Sequence, residues 1–224
     1  MSRLHTVLFD LDDTLYPSSS GVWQAIGERI NEYMHLRVGI EPERVPILRE
    51  QYFRTFGTTL NGLVAIHHID PEDYLEYVHD LPLEDSLQPD PDLQAMLESL
   101  PQRRVVFTNA SRGHAERVLN RLGVHQAIDA IVDILTLNLC NKPRPEAYRR
   151  ALEIVGEPDP QACVAVDDLL ANLQTAKRLG MITVLVGNRH RDESVDHRIA
   201  RAADLTRAVP DLLQPPLLDS RSHD

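Results

Sequence analysis

Thr6-Val7-Leu8-Phe9-Asp10-Leu11-Asp12-Asp13-Thr14, near the amino terminus, is the stretch from which the fold can be read. A strand that is apolar at every position, rather than at alternate ones, is buried on both faces, as in a parallel sheet sandwiched between helices. Such sheets bind ligands beyond the carboxyl ends of their strands. Asp10 and Asp12 therefore fall at the expected mouth of a site.

Working outward, four more runs read as core strands: Arg104 to Thr108, Ala130 to Leu135, Ala162 to Val166 and Ile182 to Val186, all rich in valine and isoleucine. Helical periodicity lies between them, in Ala115, Val118, Leu119 and Leu122 before Gly123, in Tyr148, Ala151, Leu152 and Val155 before Gly156, and in Leu173, Ala176 and Leu179 before Gly180. Strand alternating with helix implies an α/β protein with a doubly wound, mostly parallel sheet. The stretch after Tyr16-Pro17 differs. It carries Trp23, Ile26, Ile30, Tyr33 and Met34, then Tyr52, Phe53 and Phe56, at helical spacing with little sign of strands, until Gln88-Pro89-Asp90-Pro91 turns the chain back. The expected organisation is a core of residues 1–16 and 89–214, a helical cap of residues 17–88 inserted after the first strand, and a polar, disordered tail of residues 215–224.

The 224 residues suffice for one sizeable core plus such an insertion. With 34 acidic against 23 basic residues the net charge is -11, which opposes contact with nucleic acid polymers or anionic membranes. No charged-then-apolar leader opens the chain and no apolar run approaches the roughly 20 residues of a membrane span, so a cytoplasmic protein is expected. Cys140 and Cys163 lack metal-type spacing and read as reduced structural thiols.

Three further polar clusters sit at or just beyond expected strand ends: Thr108-Asn109, Asn141-Lys142-Pro143, and Asp167-Asp168 with Asn172 following. Parallel strands point the same way, so these residues converge with Asp10 on one rim, gathering up to five carboxylates. Two unit charges about 4 Å apart at an effective dielectric near 20 repel by roughly 4 kcal/mol, so the cluster must protonate or take up a cation. Oxygen donors without histidine or cysteine favour Mg²⁺ over Zn²⁺. A hydroxyl, a lysine and Mg²⁺ around a carboxylate would neutralise an entering phosphate and permit attack through an aspartyl-phosphate.

Asp10-Leu11-Asp12-Asp13-Thr14, Thr108, Lys142 and Asp167-Asp168, in this order and with a helical insertion after the first, resemble the four motifs of the haloacid dehalogenase superfamily, most of whose members are phosphatases. On that resemblance Asp10 is the nucleophile, and Asp12 protonates the leaving oxygen and then activates water. Thr108 and Lys142 hold the phosphoryl oxygens, with Asn109 beside them. The metal is bound by Asp10, Asp168 and the backbone carbonyl of Asp12, while Asp167 and Asn172 fix Lys142, waters or neighbouring ligands. Either member of the Asp167-Asp168 pair can be the direct ligand. Asp13 and Thr14 shape the turn.

The insertion extends the resemblance. Phe56-Gly57-Thr58-Thr59-Leu60-Asn61-Gly62-Leu63, Tyr77-Val78-His79-Asp80-Leu81-Pro82, Pro89-Asp90-Pro91 and Phe107-Thr108-Asn109-Ala110 are similar to the pyrimidine 5′-nucleotidase branch, over about Leu4 to Leu213. The implied substrate is a small phosphorylated metabolite, chiefly UMP or CMP, handled by a monomer or homodimer. Two departures stand out: Leu169, where relatives often place serine, and Arg144, which would reach phosphate or be solvated. Thr58, Thr59 and Asn61 are candidate hydrogen-bonding partners for a base or ribose, against an ordinary polar turn between helices. His67 and His68 read as surface or cap packing, His114 as a helix-face residue, and Trp23, Tyr33, Tyr52 and Phe53 as cap core.

Taken singly, the motifs have plainer readings: Asp10 and Asp12 as turn caps, Lys142 as a solvated lysine, Asp167-Asp168 as a helix cap. Their ordered combination reverses the balance. A phosphoacceptor signalling domain uses similar groups, but there the acidic pair comes first and the lysine last. No Gly-x-x-x-x-Gly-Lys-Ser/Thr stretch supports a P-loop NTPase. Asp12 argues against a true dehalogenase, whereas a sugar-phosphate or phosphoglycolate phosphatase, or a phosphomutase, remains open.

Overall fold

The computed structural model describes residues 4–187 and 194–214; the expected disordered tail, 215–224, lies outside them. The first strand, β1 (Thr6–Phe9), is buried at all four positions. Four helices follow: α1 (Val22–Leu36), α2 (Val45–Phe56), α3 (Thr59–His67) and α4 (Pro71–His79). The chain then runs through α5 (Pro91–Ser99), β2 (Arg103–Phe107), α6 (Arg112–Leu122), β3 (Ala130–Val132), α7 (Pro145–Val155), β4 (Cys163–Asp167), α8 (Leu170–Leu179), β5 (Ile182–Val186) and β6 (His197–Ile199). All pairings are parallel, and the strands lie in the order β3-β2-β1-β4-β5-β6. The sheet thus reverses its winding at β1, and the crevice above that reversal is where open α/β sheets place a ligand.

The two faces of the sheet follow from the pleat. Val7, Phe9, Val106, Val164, Val166 and Val184 join one apolar cluster with α5 and α6. Their alternates Leu8, Val105, Phe107, Cys163, Ala165 and Leu185 join a second with α7 and α8. The first cluster continues into Ile26, Met34, Tyr52 and Leu63, so the four early helices share apolar packing with the core face. Helix starts are locally encoded: Asp70 and Asp90 precede proline and accept the backbone N–H of Glu72 and Leu93, and Thr58 and Ser111 accept those of Asn61 and His114.

Two strand readings need correction. The third strand ends at Val132 rather than Leu135. There Asp133 turns the chain by accepting from the backbone N–H of Arg112 and of Thr136, and Asn138 and Leu139 take positive φ. The sequence reading also lacked β6, a three-residue edge strand whose first two residues, His197 and Arg198, are polar.

Candidate active site

Three adjacent strands deliver the central residues. Asp10 and Thr108 lie just beyond β1 and β2, where their backbone N–H groups extend the ladder by donating to Val166 O (2.9 Å) and Val132 O (3.0 Å). Asp167 closes β4. Lys142 arrives from the loop before α7, and its Nζ lies 2.8 Å from Asp10 Oδ1 and 2.8 Å from Asp167 Oδ2. Both ends of this reach are fixed. Asn109 Oδ1 accepts the Lys142 N–H at 2.9 Å while its amide donates to Lys142 O at 3.2 Å, and Asn172 donates to both oxygens of Asp167 at 3.0 Å. Thr108 Oγ1 accepts the Ala110 N–H at 3.0 Å. Residues far apart in sequence are thereby brought into one crevice.

Oxygens of Asp10, Asp167 and Asp168 lie within 4.8 Å of one another. Burial pushes the Asp10 carboxyl up; Lys142 opposes this, but Asp167 and Asp168 add to it, and the net result is well above the usual carboxylate range. Burial alone would lower Lys142, yet Asp10 and Asp167 outweigh it and raise its pKa. Lys142 bridges two of these three carboxylates, Asp10 and Asp167. An all-oxygen donor set of this kind suits a hard divalent cation.

The expected gathering of five carboxylates is narrower in the structure, because the side chain of Asp12 is engaged elsewhere. Its Oδ1 accepts from the Tyr16 hydroxyl at 2.6 Å and lies 2.8 Å from His114 Nε2. Burial alone would raise the Asp12 pKa, but the neighbouring His114, hydrogen-bonded to it, and the Tyr16 hydroxyl bring it below the usual range. His114 is thus a site residue, not the plain helix-face residue its spacing predicted. Its ring stacks on His79, with centroids 4.3 Å apart and planes 15° from parallel. The four-residue step from Asp12 to Tyr16 was a usable signal in the sequence; nothing there placed His114, 102 residues on, against Asp12.

Residues 4–180 match the family model for haloacid dehalogenase-like hydrolases. The chain belongs to this family. Among curated relatives it is 27% identical to phosphate metabolism protein 8 of Saccharomyces cerevisiae, over 94% of this chain and 71% of that one. It is 26% identical to the glyceraldehyde 3-phosphate phosphatase of Methanopyrus kandleri, over 93% and 98%. Among solved structures, the haloacid dehalogenase-superfamily phosphatase of Thermococcus onnurineus superposes with a TM-score of 0.61 at 20% identity, covering 91% of this chain and 97% of that one, a likeness of fold. The chain is an enzyme of this hydrolase family.

Above the crevice of this haloacid dehalogenase-like hydrolase opens a cavity of about 590 Å³, walled on one side by Asp10, Asp12, Thr108, Asn109, Lys142 and Asp168 and on the other by α1, α2 and α4. Trp23 and Phe53 line it and are 52% and 54% exposed, so they are cavity wall, not the cap core expected of them. The reason is registry. Val22, Ile26, Ile30, Tyr33 and Met34 take the inward stripe of α1, and Tyr52 that of α2, turning the adjacent rings outward. Thr58 and Thr59 also line the cavity. Asn61 is not among its lining residues: its amide donates to Leu139 O at 2.9 Å and Asn141 Oδ1 at 2.8 Å, docking α3 on the loop that carries Lys142. Arg144 likewise binds Phe56 O at 3.3 Å. His67 packs within the helices, 2.8 Å from the Tyr52 hydroxyl. Among the described residues no helix is long and apolar enough to cross a membrane.

Proposed function

We propose that the chain is a Mg²⁺-dependent phosphomonoesterase that works through an aspartyl-phosphate, with residues 17–88 as a cap that selects a pyrimidine nucleoside monophosphate. The observation that carries the reading is Lys142 bridging Asp10 and Asp167 beneath a cavity large enough for a nucleotide. Asp10 attacks phosphorus, forming one P–O bond as the ester P–O bond breaks. Asp12 gives its proton to the departing alkoxide, then takes one from the water that hydrolyses the aspartyl-phosphate and restores Asp10. A phosphate entering beside Asp12 adds negative charge, which returns that carboxyl toward its protonated form for the first step. Lys142 and the Thr108 hydroxyl receive the phosphoryl oxygens. Asp10, Asp168 and the carbonyl of Asp12, with Asp167 alongside, would hold Mg²⁺, which would supply charge neutralisation when bound.

For the substrate, Trp23 and Phe53 offer two aromatic surfaces to a planar base, and Thr58 and Thr59 offer hydroxyls. A sugar phosphate is the second reading, supported by the Methanopyrus relative's name. The test is phosphate release from UMP, CMP, AMP, nicotinamide mononucleotide and sugar phosphates, with Mg²⁺ or EDTA, by wild type, Asp10→Asn and Trp23→Ala. Expected are metal-dependent release greatest on UMP and CMP, complete loss in Asp10→Asn, and a KM raised about tenfold in Trp23→Ala, the size of one lost stacking contact. Release confined to sugar phosphates would keep the chemistry and reject the nucleotide.

A further inference from the structure

The groups around Asp12 go beyond what its acid–base role requires. A carboxyl has two oxygens, and here they are treated differently. Oδ1 takes the Tyr16 hydroxyl at 2.6 Å and faces His114 Nε2 at 2.8 Å. The Tyr16 hydroxyl has one hydrogen, and facing a carboxylate oxygen at 2.6 Å it is the donor. His114 Nδ1 is buried with no hydrogen-bond partner among the described residues, so a proton there would be an orphan; placed on Nε2, the ring's proton meets the carboxylate. Both donors thus point at one oxygen. Among the described residues no donor reaches Oδ2, and the Asp12 side chain, 11% exposed, lines the cavity.

The His114 ring is held in place from two elements. His79, the last residue of α4, stacks on its face, and His79 Nδ1 lies 3.0 Å from Ser111 Oγ, the cap of the helix that carries His114. Arg117, one turn along α6, donates to the backbone oxygens of His79 (2.8 Å) and Leu81. The imidazole therefore reaches Asp12 from a fixed position.

We propose that His114 and Tyr16 are positioning residues that saturate Oδ1 of Asp12 and leave Oδ2 as the single oxygen that passes the proton to the leaving group. This rests on Asp12 being the acid–base of the proposed reaction. Oriented in this way, the carboxyl offers its proton toward the substrate; without the two donors it rotates, and the proton is shared between two orientations of which one is unproductive.

Leaving-group dependence separates positioning from bulk structure. The value of kcat/KM reports steps through the first phosphoryl transfer, where an alkoxide leaving group needs a proton and a nitrophenolate does not. The experiment compares wild type, His114→Ala, His114→Gln, Tyr16→Phe and Asp12→Asn on p-nitrophenyl phosphate and on the panel's best alkyl phosphate. In His114→Ala and Tyr16→Phe, kcat/KM should fall roughly 10- to 100-fold on the alkyl ester, part of the roughly 10²- to 10⁴-fold that general acid catalysis supplies, and less than about 3-fold on p-nitrophenyl phosphate. His114→Gln, whose amide nitrogen can occupy the place of Nε2, should restore most of the loss. Tyr16→Phe deletes only one oxygen and gives the reading if His114→Ala does not fold. Equal losses on both esters, or none, beside a selective loss in Asp12→Asn, would overturn the positioning role. An Asp12→Asn variant without selective loss would instead remove the acid–base reading on which the role depends.

Discussion

His79 is a buried imidazole placed where a charge is unwelcome. Burial, and then the neighbouring His114, push its pKa down to about 3. An unfolded histidine titrates near 6.5, so at pH values between the two the unfolded chain binds the extra proton. The stabilisation is complete above about 6.5 and is lost as pH falls toward 3; at pH 5 the loss is about 2 kcal/mol. His79→Phe keeps a flat ring on His114 and removes the titration. Its melting temperature, although lower at pH 7 for want of the Ser111 contact, should fall less between pH 7 and 5 than that of wild type, by roughly 4–8 °C. Parallel curves for the two proteins would mean that His79 protonates freely in the fold. Individual residues were unevenly legible at this scale. Asp10, Thr108 and Asp167 each sit on or beside a strand end that apolar patterning announces, and Lys142 stands in the loop just before α7, whereas the His79–His114–Asp12 contact depends on how α4 and α6 come together, which no local pattern encodes.

Elements were legible where a long apolar run or a helical stripe dictated them, as in β1, β4, β5 and α6. They were lost where a turn overrode the run, as at Asp133, or where a strand is short and polar at the edge, as in β6. Gly57 lets α3 approach the loop that carries Lys142. Gly57 has φ +87°, and an added Cβ would stand 2.2 Å from Asn141 Nδ2. Asn141 itself donates to Lys142 O at 2.6 Å and accepts from Asn61 at 2.8 Å, so a displacement there is passed to the lysine. Gly39 has φ +79° with nothing within 4 Å of such a Cβ. Alanine at Gly39 should therefore cost only backbone strain, about 1–2 kcal/mol, and at Gly57 a further ~1–3 kcal/mol of overpacking. Urea unfolding gives the two stabilities, and kcat should fall only in Gly57→Ala. Equal cost and unchanged kcat in both would show that α3 yields without moving Lys142.

Across the whole molecule, the order of the motifs gave the family, because a parallel sheet that reverses at β1 can assemble Asp10, Thr108, Lys142 and Asp167 in only one place. What order could not give was the spacing of the folded crevice, where Lys142 bridges Asp10 and Asp167 and the oxygens of Asp10, Asp167 and Asp168 lie within 4.8 Å of one another. On the proposed Mg²⁺ dependence, that cluster links global stability to the cation. A ligand that binds only the folded state stabilises it by RT ln(1 + [L]/Kd), about 2.7 kcal/mol at a hundredfold excess over Kd. For a chain of this size each kcal/mol moves the melting temperature by roughly 2–4 °C, so saturating Mg²⁺ should raise it by about 5–10 °C. The cation need not be reactive for this to hold, so the measurement is independent of any substrate. Asp168→Asn keeps the side chain's shape but removes one anionic oxygen donor, and its melting temperature should respond to Mg²⁺ by less than about 2 °C, since a weaker Kd leaves the same concentration far from saturation. A full response in that variant would place the cation away from the Asp10–Asp167–Asp168 cluster. No response in wild type would mean that the carboxylate cluster needs no cation, with Asp10 carrying a proton in the resting enzyme, as its raised pKa permits.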